Sequence, residues 1–237
     1  MVTRQGLIKR TGLDAYKNIR KSGLIALGLG EDDELAYVTL TNGSEQLLIA
    51  TKNGMAIRFA ETDVRPMSRT AMGVRAIRLR DDDEVVGMVP VREDGYVMTV
   101  TDRGQGRRTL MSEYPLQNRH GFGKINYKVN EVKGHVCGIK MVREEDDLIM
   151  ISNEGVIIRI AVSDVNTMSR YASGVRVMRL GDSDRVVTFA RADHVDEETT
   201  AVEKEESPDD MTEEELKAEE AAAEAAEAAE MEEEDQP

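Results

Sequence analysis

Glycine and arginine recur in this 237-residue chain at regular intervals. Gly6, Gly54, Gly104 and Gly155 are 48, 50 and 51 residues apart, and each is followed four positions later by an arginine, Arg10, Arg58, Arg108 or Arg159. A second glycine lies 17 to 19 residues after the first, at Gly23, Gly73, Gly123 and Gly174. Arg69, Arg119 and Arg170 stand four positions before three of these, and Arg20 stands one place out of that register in the first copy. Cations repeated at a fixed interval suit a ligand that is itself a repeating anion, because a guanidinium grips a phosphate through two donors and a row of such contacts gives a salt-dependent affinity. The loop before the second glycine offers Arg20, Lys21, Arg65, Arg69, Arg119 and Arg170; the stretch after it offers Arg75, Arg78, Lys124, Arg176 and Arg179, with Arg80 and Lys128 beside them. Arginine outnumbers lysine 21 to 8 in residues 1–194, which leans towards phosphate contacts. The plainer alternative is a solvated face balanced by acidic turns. Arg75 and Arg78 are three apart, so regular strand alternation would send them to opposite faces.

The elements that position these residues read as strands. Leu47 to Thr51 meets Met55 to Phe59 across Lys52-Asn53-Gly54, an apolar run, a turn with a glycine for positive φ, and a second run, the pattern of a β-hairpin. Val97 to Thr101 and Leu148 to Ser152 open the next two copies in the same way. An alternating strand follows the second glycine, Val74 to Leu79 or Val175 to Leu180, then an acidic turn and a fourth strand such as Val85 to Val89. Four strands per copy are the content of one propeller-like blade, and four copies are expected at about 1–46, 47–96, 97–147 and 148–194. The arginines four residues after each first glycine suit a repeated ion pair or hydrogen bond between blades at least as well as an external ligand.

Other chemistries find little support. One cysteine, Cys137, cannot form an intrachain disulfide, and it sits in a strand where a buried small side chain is the default. His120, His135 and His194 are scattered and have no nucleophile partner at a recognisable spacing. The acidic runs Glu31 to Glu34, Asp81 to Glu84 and Glu144 to Asp147 lack calcium-loop spacing and read as solvated turns, so no metal site is expected. Gly104-Gln105-Gly106 lacks the third glycine and following helix of a dinucleotide fingerprint. No run approaches 18 apolar residues, so no membrane helix is expected.

Charge divides the chain. The total is 46 acidic against 31 basic residues, a net charge of -15. Residues 195–237 hold 20 acidic residues and 2 lysines, a balance of -18, which leaves 29 basic and 26 acidic residues, or +3, in residues 1–194. The acidic stretch is low in complexity and stacks glutamates at three- and four-residue spacing, so it is expected to be disordered or partly helical. A tethered polyanion beside a basic body either competes with an anionic ligand or simply keeps the chain in solution.

The phrases Ala50 to Phe59, Asp63 to Arg69 and Gly73 to Leu79, with Gly104 to Thr109 and Glu113 to Gln117, resemble the C-terminal domain of DNA gyrase A over residues 1 to about 193. The resemblance implies an all-β, propeller-like β-pinwheel, here of about four of six blades, whose basic edge wraps double-stranded DNA to support ATP-dependent negative supercoiling by a type II topoisomerase. It makes the cations named above DNA-binding candidates. Gln117, Arg119, Gly121 and Gly123 match a degenerate form of the family's Gln-Arg-Arg-Gly-Gly box. No tyrosine stands in a matching catalytic context, so no catalytic residue is nominated and the chain alone is not expected to cleave DNA. ATP and magnesium would serve the parent enzyme and not this chain. The implied partners are DNA, the rest of gyrase A and gyrase B, and the implied location is the bacterial cytoplasm, at the nucleoid. The matching domain of topoisomerase IV and a propeller-like scaffold for proteins are the alternatives.

Overall fold

The computed structural model describes residues 1–194; the expectations about the acidic stretch at 195–237 lie outside the described residues. The first copy supplies β1 (Val2–Thr3), β2 (Leu7–Ile8) and β3 (Leu35–Tyr37). The second supplies β4 (Gln46–Thr51), β5 (Met55–Ala60), β6 (Val74–Arg75) and β7 (Val85–Pro90). The third supplies β8 (Tyr96–Thr101), β9 (Gln105–Leu110), β10 (Lys124–Ile125) and β11 (Val136–Val142). The fourth supplies β12 (Asp146–Ser152), β13 (Ile157–Ala161), β14 (Val175–Arg176) and β15 (Val186–Asp193). All pairings among them are antiparallel, in four sheets.

The sheets do not coincide with the sequence copies. Their orders are β3-β1-β2-β6, β7-β4-β5-β10, β11-β8-β9-β14 and β15-β12-β13. The second, third and fourth copies therefore each lend the strand after the second glycine to the hairpin of the copy before. The pairing repeats in register: Ile8 with Val74, Ala56 with Lys124, Gly106 with Val175. The lent strands are two residues long, shorter than the alternating runs expected over 74–79 and 175–180. Ala76 and Ile77 are both buried, so the backbone has left the pleat after Arg75. Arg75 and Arg78 are for that reason both exposed, and the opposite-face expectation fails.

Glycine makes the exchange sterically feasible. Gly54 has φ +81, and a Cβ there would run into the Tyr127 carbonyl, two residues beyond the lent strand β10. Gly73 has φ +106, and its Cβ would lie 2.6 Å from the Ile8 carbonyl. The two marker glycines of the repeat thus face each other's strands across every junction, where a side chain would push the strands apart.

The cores sit between sheets. Leu47 and Ile49 of β4 pack with Val2, Ile8 and Ile77 on one side, while Leu48 and Ala50 pack with Val97, Met111, Tyr114 and Ile139 on the other. A second interface joins Met98 and Val100 to Leu148, Met150 and Phe189. A sheet covered on both faces needs apolar residues at successive positions, which explains the unbroken Leu47-Leu48-Ile49-Ala50 run.

Two acidic positions depart from the solvated-turn reading. Asp146 and Asp147 are each 4% exposed. Arg191 reaches Asp146 at 3.2 Å, and Asp147 accepts from Arg159 Nε at 2.7 Å and lies 2.9 Å from His194 Nδ1. Asp33, Asp83 and Asp184 in the other acidic turns each accept a backbone N–H from the hairpin turn of their own copy, at Gln5, Asn53 and Glu154. These carboxylates are structural fasteners, because a buried carboxylate persists only when paired or hydrogen-bonded.

Acid stability follows from three of the carboxylates. Burial pushes Asp147, Glu61 and Glu84 upward, but hydrogen bonds from His194 and Arg159, from Thr41 and two backbone N–H groups, and from Arg4 and Lys52 outweigh it and hold each below its ordinary value. Those ordinary values are 3.8 for Asp and 4.5 for Glu. A depressed carboxylate stabilises the fold above its unfolded pKa, and the contribution is lost as pH falls through the folded value. Urea midpoints measured by circular dichroism are expected to stay level on the alkaline side of those values and to fall below about pH 4. Asp147→Asn is expected to lower the plateau and lessen the acid decline.

Candidate nucleic-acid interface

The candidate cations fall at the junctions between copies, and the fold treats the two arginine series differently. The arginines four residues after each first glycine are all ion-paired: Arg10 with Glu61, Arg58 with Glu93, Arg108 with Glu144 and Arg159 with Asp147. Three also meet the loop of the next copy, through parallel bridges Arg10 to Pro66, Arg58 to Leu116 and Arg108 to Thr167. Arg58 Nη1 donates to the Tyr114 carbonyl at 3.0 Å, and Arg58 and Arg108 are only 7% exposed. Arg10, Arg58 and Arg108 thus fasten copies together, while Arg159 bonds Asp147 and the Asp193 carbonyl beside it.

The second series is turned outward. Arg20, Lys21, Arg65, Arg75, Arg78, Lys124, Arg176 and Arg179 are exposed, and Arg69, Arg119 and Arg170 are half-buried. Among the described residues none of these eleven makes an ion pair. The half-buried three share one job. Arg69 Nη1 donates to the Ile25 carbonyl at 2.9 Å, Arg119 Nη1 to the Arg75 carbonyl at 2.6 Å, and Arg170 Nη1 to the Ile125 carbonyl at 2.8 Å. Each clamps the segment after the second glycine of the preceding copy with one nitrogen and keeps its charge near the surface.

The geometry gathers some candidates and spaces out others. At the junction of the second and third copies, Arg119 holds the Arg75 backbone while Arg78 and Arg80 lie over the Phe122 ring at 5.3 and 5.7 Å. At the next junction, Lys128 and Arg170 lie over Tyr171 at 6.0 and 5.3 Å, and Lys133 Nζ donates to Ser173 Oγ at 2.8 Å. Arg176 and Arg179 occupy the Arg75 and Arg78 positions of the fourth copy, while Arg20 and Lys21 precede Gly23 in the first. The candidates gather in basic clusters at the second and third junctions, and the rest recur at equivalent repeat positions. Stacking on an aromatic ring fixes a guanidinium without neutralising it.

The degenerate box is the loop that seals the second junction. Gln117 donates its backbone N–H to the Arg58 carbonyl at 2.8 Å, and the Gly121 carbonyl accepts from the Arg78 N–H at 2.8 Å. Gly123, with φ +74, faces the Ala56 carbonyl of β5. His120 also adopts positive φ, +78, and directs its N–H to the Ala76 carbonyl at 2.7 Å.

Sequence reasoning missed two buried cations at the same repeat position. Lys9 Nζ donates to the Ala26 and Ser68 carbonyls at 2.6 and 3.1 Å and to that of Arg69. Arg107 donates to Thr109 Oγ1 at 3.0 Å, to the Ala172 carbonyl at 2.8 Å and to the Asn126 carbonyl, beneath the Tyr127 ring. Burial lowers both pKa values, with Arg69 adding to the effect at Lys9. The available signal was positional: three residues after the first glycine the chain reads Lys9, Ile57, Arg107 and Ile158. Cys137, half-buried with Sγ 3.4 Å from the Val100 carbonyl, is pushed up to about 12 by burial and then by Asp102, so it is not a nucleophile at neutral pH. No helix among the described residues is long and apolar enough to cross a membrane.

Comparison with known proteins places this geometry in a family. The family model described as DNA gyrase C-terminal domain, beta-propeller, matches residues 1–42, 45–92, 95–131 and 146–193. The DNA gyrase A protein of Haloquadratum walsbyi is 43% identical over 203 residues, covering 85% of this chain and 24% of the relative. That of Staphylococcus epidermidis is 43% identical over 197 residues, 82% of this chain and 22% of the relative. The chain thus spans about a quarter of the length of these relatives. Among solved structures, the C-terminal domain of DNA topoisomerase IV aligns with a TM-score of 0.77 at 27% identity, covering 81% of this chain and 60% of that one. A DNA gyrase A C-terminal domain aligns with a TM-score of 0.74 at 26% identity, covering 81% and 64%. The four sheets, three of them strand-exchanged, their paired glycines and the matched family model together make this chain a member of the DNA gyrase C-terminal domain family, with the β-pinwheel fold.

Proposed function

We propose that this chain binds duplex DNA along the junction ridge and bends it around the repeats, as part of a gyrase that supercoils DNA. The observation that carries the proposal is the contrast between the two arginine series: one is ion-paired at every copy, while the side chains of the eleven ridge cations make no ion pair among the described residues. Cations left without internal counter-charges are available to phosphate, and a ridge that offers guanidinium and ammonium groups but no groove-reading element favours the DNA backbone over base edges. The curvature would come from successive junctions, each presenting its cluster to the next stretch of phosphates.

Strand cleavage belongs on this reading to the remainder of gyrase A, and ATP and magnesium chemistry to gyrase B and the catalytic region. The chain's own contribution is to hold DNA. The partners are the rest of gyrase A and gyrase B, the compartment is the bacterial cytoplasm, and the identity of the curated relatives favours gyrase over topoisomerase IV.

Fluorescence anisotropy with two duplexes of unrelated sequence tests the proposal. Equal affinities are expected for the two, with log K falling linearly in log salt; six to ten phosphate contacts correspond to a loss of about 10³- to 10⁵-fold between 50 and 200 mM. Binding that is weak at every salt concentration would favour a protein scaffold instead.

A further inference from the structure

Phe122 and Tyr171 are 42% and 57% exposed, while the other seven aromatic side chains of residues 1–194 are buried or half-buried. A single exposed apolar side chain needs no explanation. These two, however, are placed alike. Each stands in the loop before a second glycine and lies beneath two cations, Arg78 and Arg80 at Phe122, Lys128 and Arg170 at Tyr171. Arg78 and Lys128 are the same repeat position, five residues after the second glycines Gly73 and Gly123. The ring that meets that position comes from the next copy in both cases but from different offsets, one residue before Gly123 and three before Gly174. Two sequence positions thus supply one spatial partner.

The first junction shows the converse. There the matching positions hold Gly28 and Met72, and a Cβ on Gly28 would lie 2.7 Å from the Thr70 carbonyl and 3.1 Å from Met72 Cγ. Cation and ring are missing together. At the second junction the backbone fixes the pair from both sides of the ring, because His120 donates its N–H to the Ala76 carbonyl at 2.7 Å and Arg78 donates its own to the Gly121 carbonyl at 2.8 Å.

The type of contact matters. Among the described residues the Arg78 and Arg80 side chains make no hydrogen bond and no ion pair. A carboxylate partner, such as those of Arg58 and Arg108, occupies N–H donors and cancels charge. A ring covers only the face of a guanidinium, so the donors around its edge stay free for a phosphate while the side chain is already held. A side chain ordered in advance has less freedom to lose on binding.

We propose that Phe122 and Tyr171 are positioning residues for DNA: each ring holds the cation five residues after the second glycine of the copy before, with its donors left to the phosphates. The inference rests on the junction cations meeting DNA.

Double-mutant cycles in the full chain test it, with affinity for one duplex read by fluorescence anisotropy at low salt and urea midpoints verifying that each variant is folded. Phe122→Leu keeps an apolar side chain and every charge. It is expected to weaken binding about five- to tenfold, the factor for ordering one or two long side chains at an interface. Phe122→Tyr keeps a ring and is expected to recover the lost affinity. Arg78→Gln with Arg80→Gln is expected to weaken binding and to reduce the slope of log K against log salt by about 2. In that background Phe122→Leu is expected to change affinity by less than about twofold, because no cation is left to position. The cycle of Tyr171→Leu with Lys128→Gln is expected to show coupling of the same sign. A leucine variant that binds as the unsubstituted chain does overturns the proposal, as does a tyrosine variant as weak as the leucine one. So does an equal loss with and without the cations, which would put the ring itself on the DNA, or coupling at one junction only. If loss of the arginine pair leaves affinity and slope unchanged, the DNA reading of that junction fails and this proposal with it.

Discussion

Replacing Arg75, Arg78, Arg176 and Arg179 together by glutamine is expected to reduce the slope of log K against log salt by about 3 to 4, since each phosphate contact contributes roughly 0.9. The four side chains are exposed, make no ion pair among the described residues, and occupy the same two positions in the second and fourth copies. Glutamine keeps a polar side chain but removes the charge and the guanidinium fork, so affinity at low salt is expected to fall by several orders of magnitude and equally for unrelated sequences. The fold is expected to persist, because exposed substitutions of this kind change stability by about 0.5 kcal/mol or less each. Arg92→Gln, an exposed arginine in the turn between β7 and β8, is the single-charge control and is expected to change the slope by less than one unit. An unchanged slope in the quadruple variant would move the DNA site away from the ridge.

The second large effect is on stability. Arg107→Met is expected to cost about 3 to 5 kcal/mol, read as a lower urea midpoint, because it strands buried carbonyls that only the guanidinium satisfies. Arg107 is 0% exposed and donates to the Asn126 and Ala172 carbonyls, which belong to the third and fourth copies. That loss is a large share of the 5–15 kcal/mol that holds a typical domain together. The repeat supplies its own controls. Lysine fills the equivalent place at Lys9 and bonds the Ala26 carbonyl, which corresponds to that of Asn126, together with those of Ser68 and Arg69, so Arg107→Lys is expected to retain most of the stability. Isoleucine fills it at Ile57, but there the His120 N–H satisfies the Ala76 carbonyl, which corresponds to that of Asn126. Arg107→Ile gains no such amide and is expected to resemble Arg107→Met. Equal stability of the lysine and isoleucine variants would refute the carbonyl argument.

These two sites show what the chain discloses and what it conceals. The glycine-marked hairpins were legible because a positive φ and flanking apolar runs are local signals, and Gly54 and Gly104 have the φ values they imply. The destination of the third strand was not legible. Val74-Arg75 reads as a strand in its own copy, but only a three-dimensional neighbour decides that its ladder partner is Leu7-Ile8, in the copy before. The outward cations were found because an arginine at a repeated offset is conspicuous. The buried ones were overlooked because lysine and arginine are almost never fully buried, and composition gives no warning that carbonyls will converge on Lys9 or Arg107. Asp146 and Asp147 misled for the same reason: four acids in a row look like a solvated turn until Arg159 and Arg191 are seen to enclose two of them.

The charge pattern reads differently once the junction cations are seen to lack ion pairs. A net charge of -15 argues against a DNA ligand only if charge is spread evenly, and it is not. Within residues 1–194 the fold consumes many of its carboxylates as fasteners for hairpin turns and for the arginines four residues after each first glycine, which leaves the junction cations uncompensated. The small surplus of +3 therefore understates the local field at each junction.

The most direct test of the central claim is the end-to-end distance of a duplex labelled at its two ends, followed by energy transfer as the chain is added. At low salt the ends are expected to approach on binding, to the same extent for unrelated sequences, with the change lost at high salt and in the Arg75, Arg78, Arg176 and Arg179 variant. Saturable binding that leaves the end-to-end distance unchanged would contradict wrapping along the ridge.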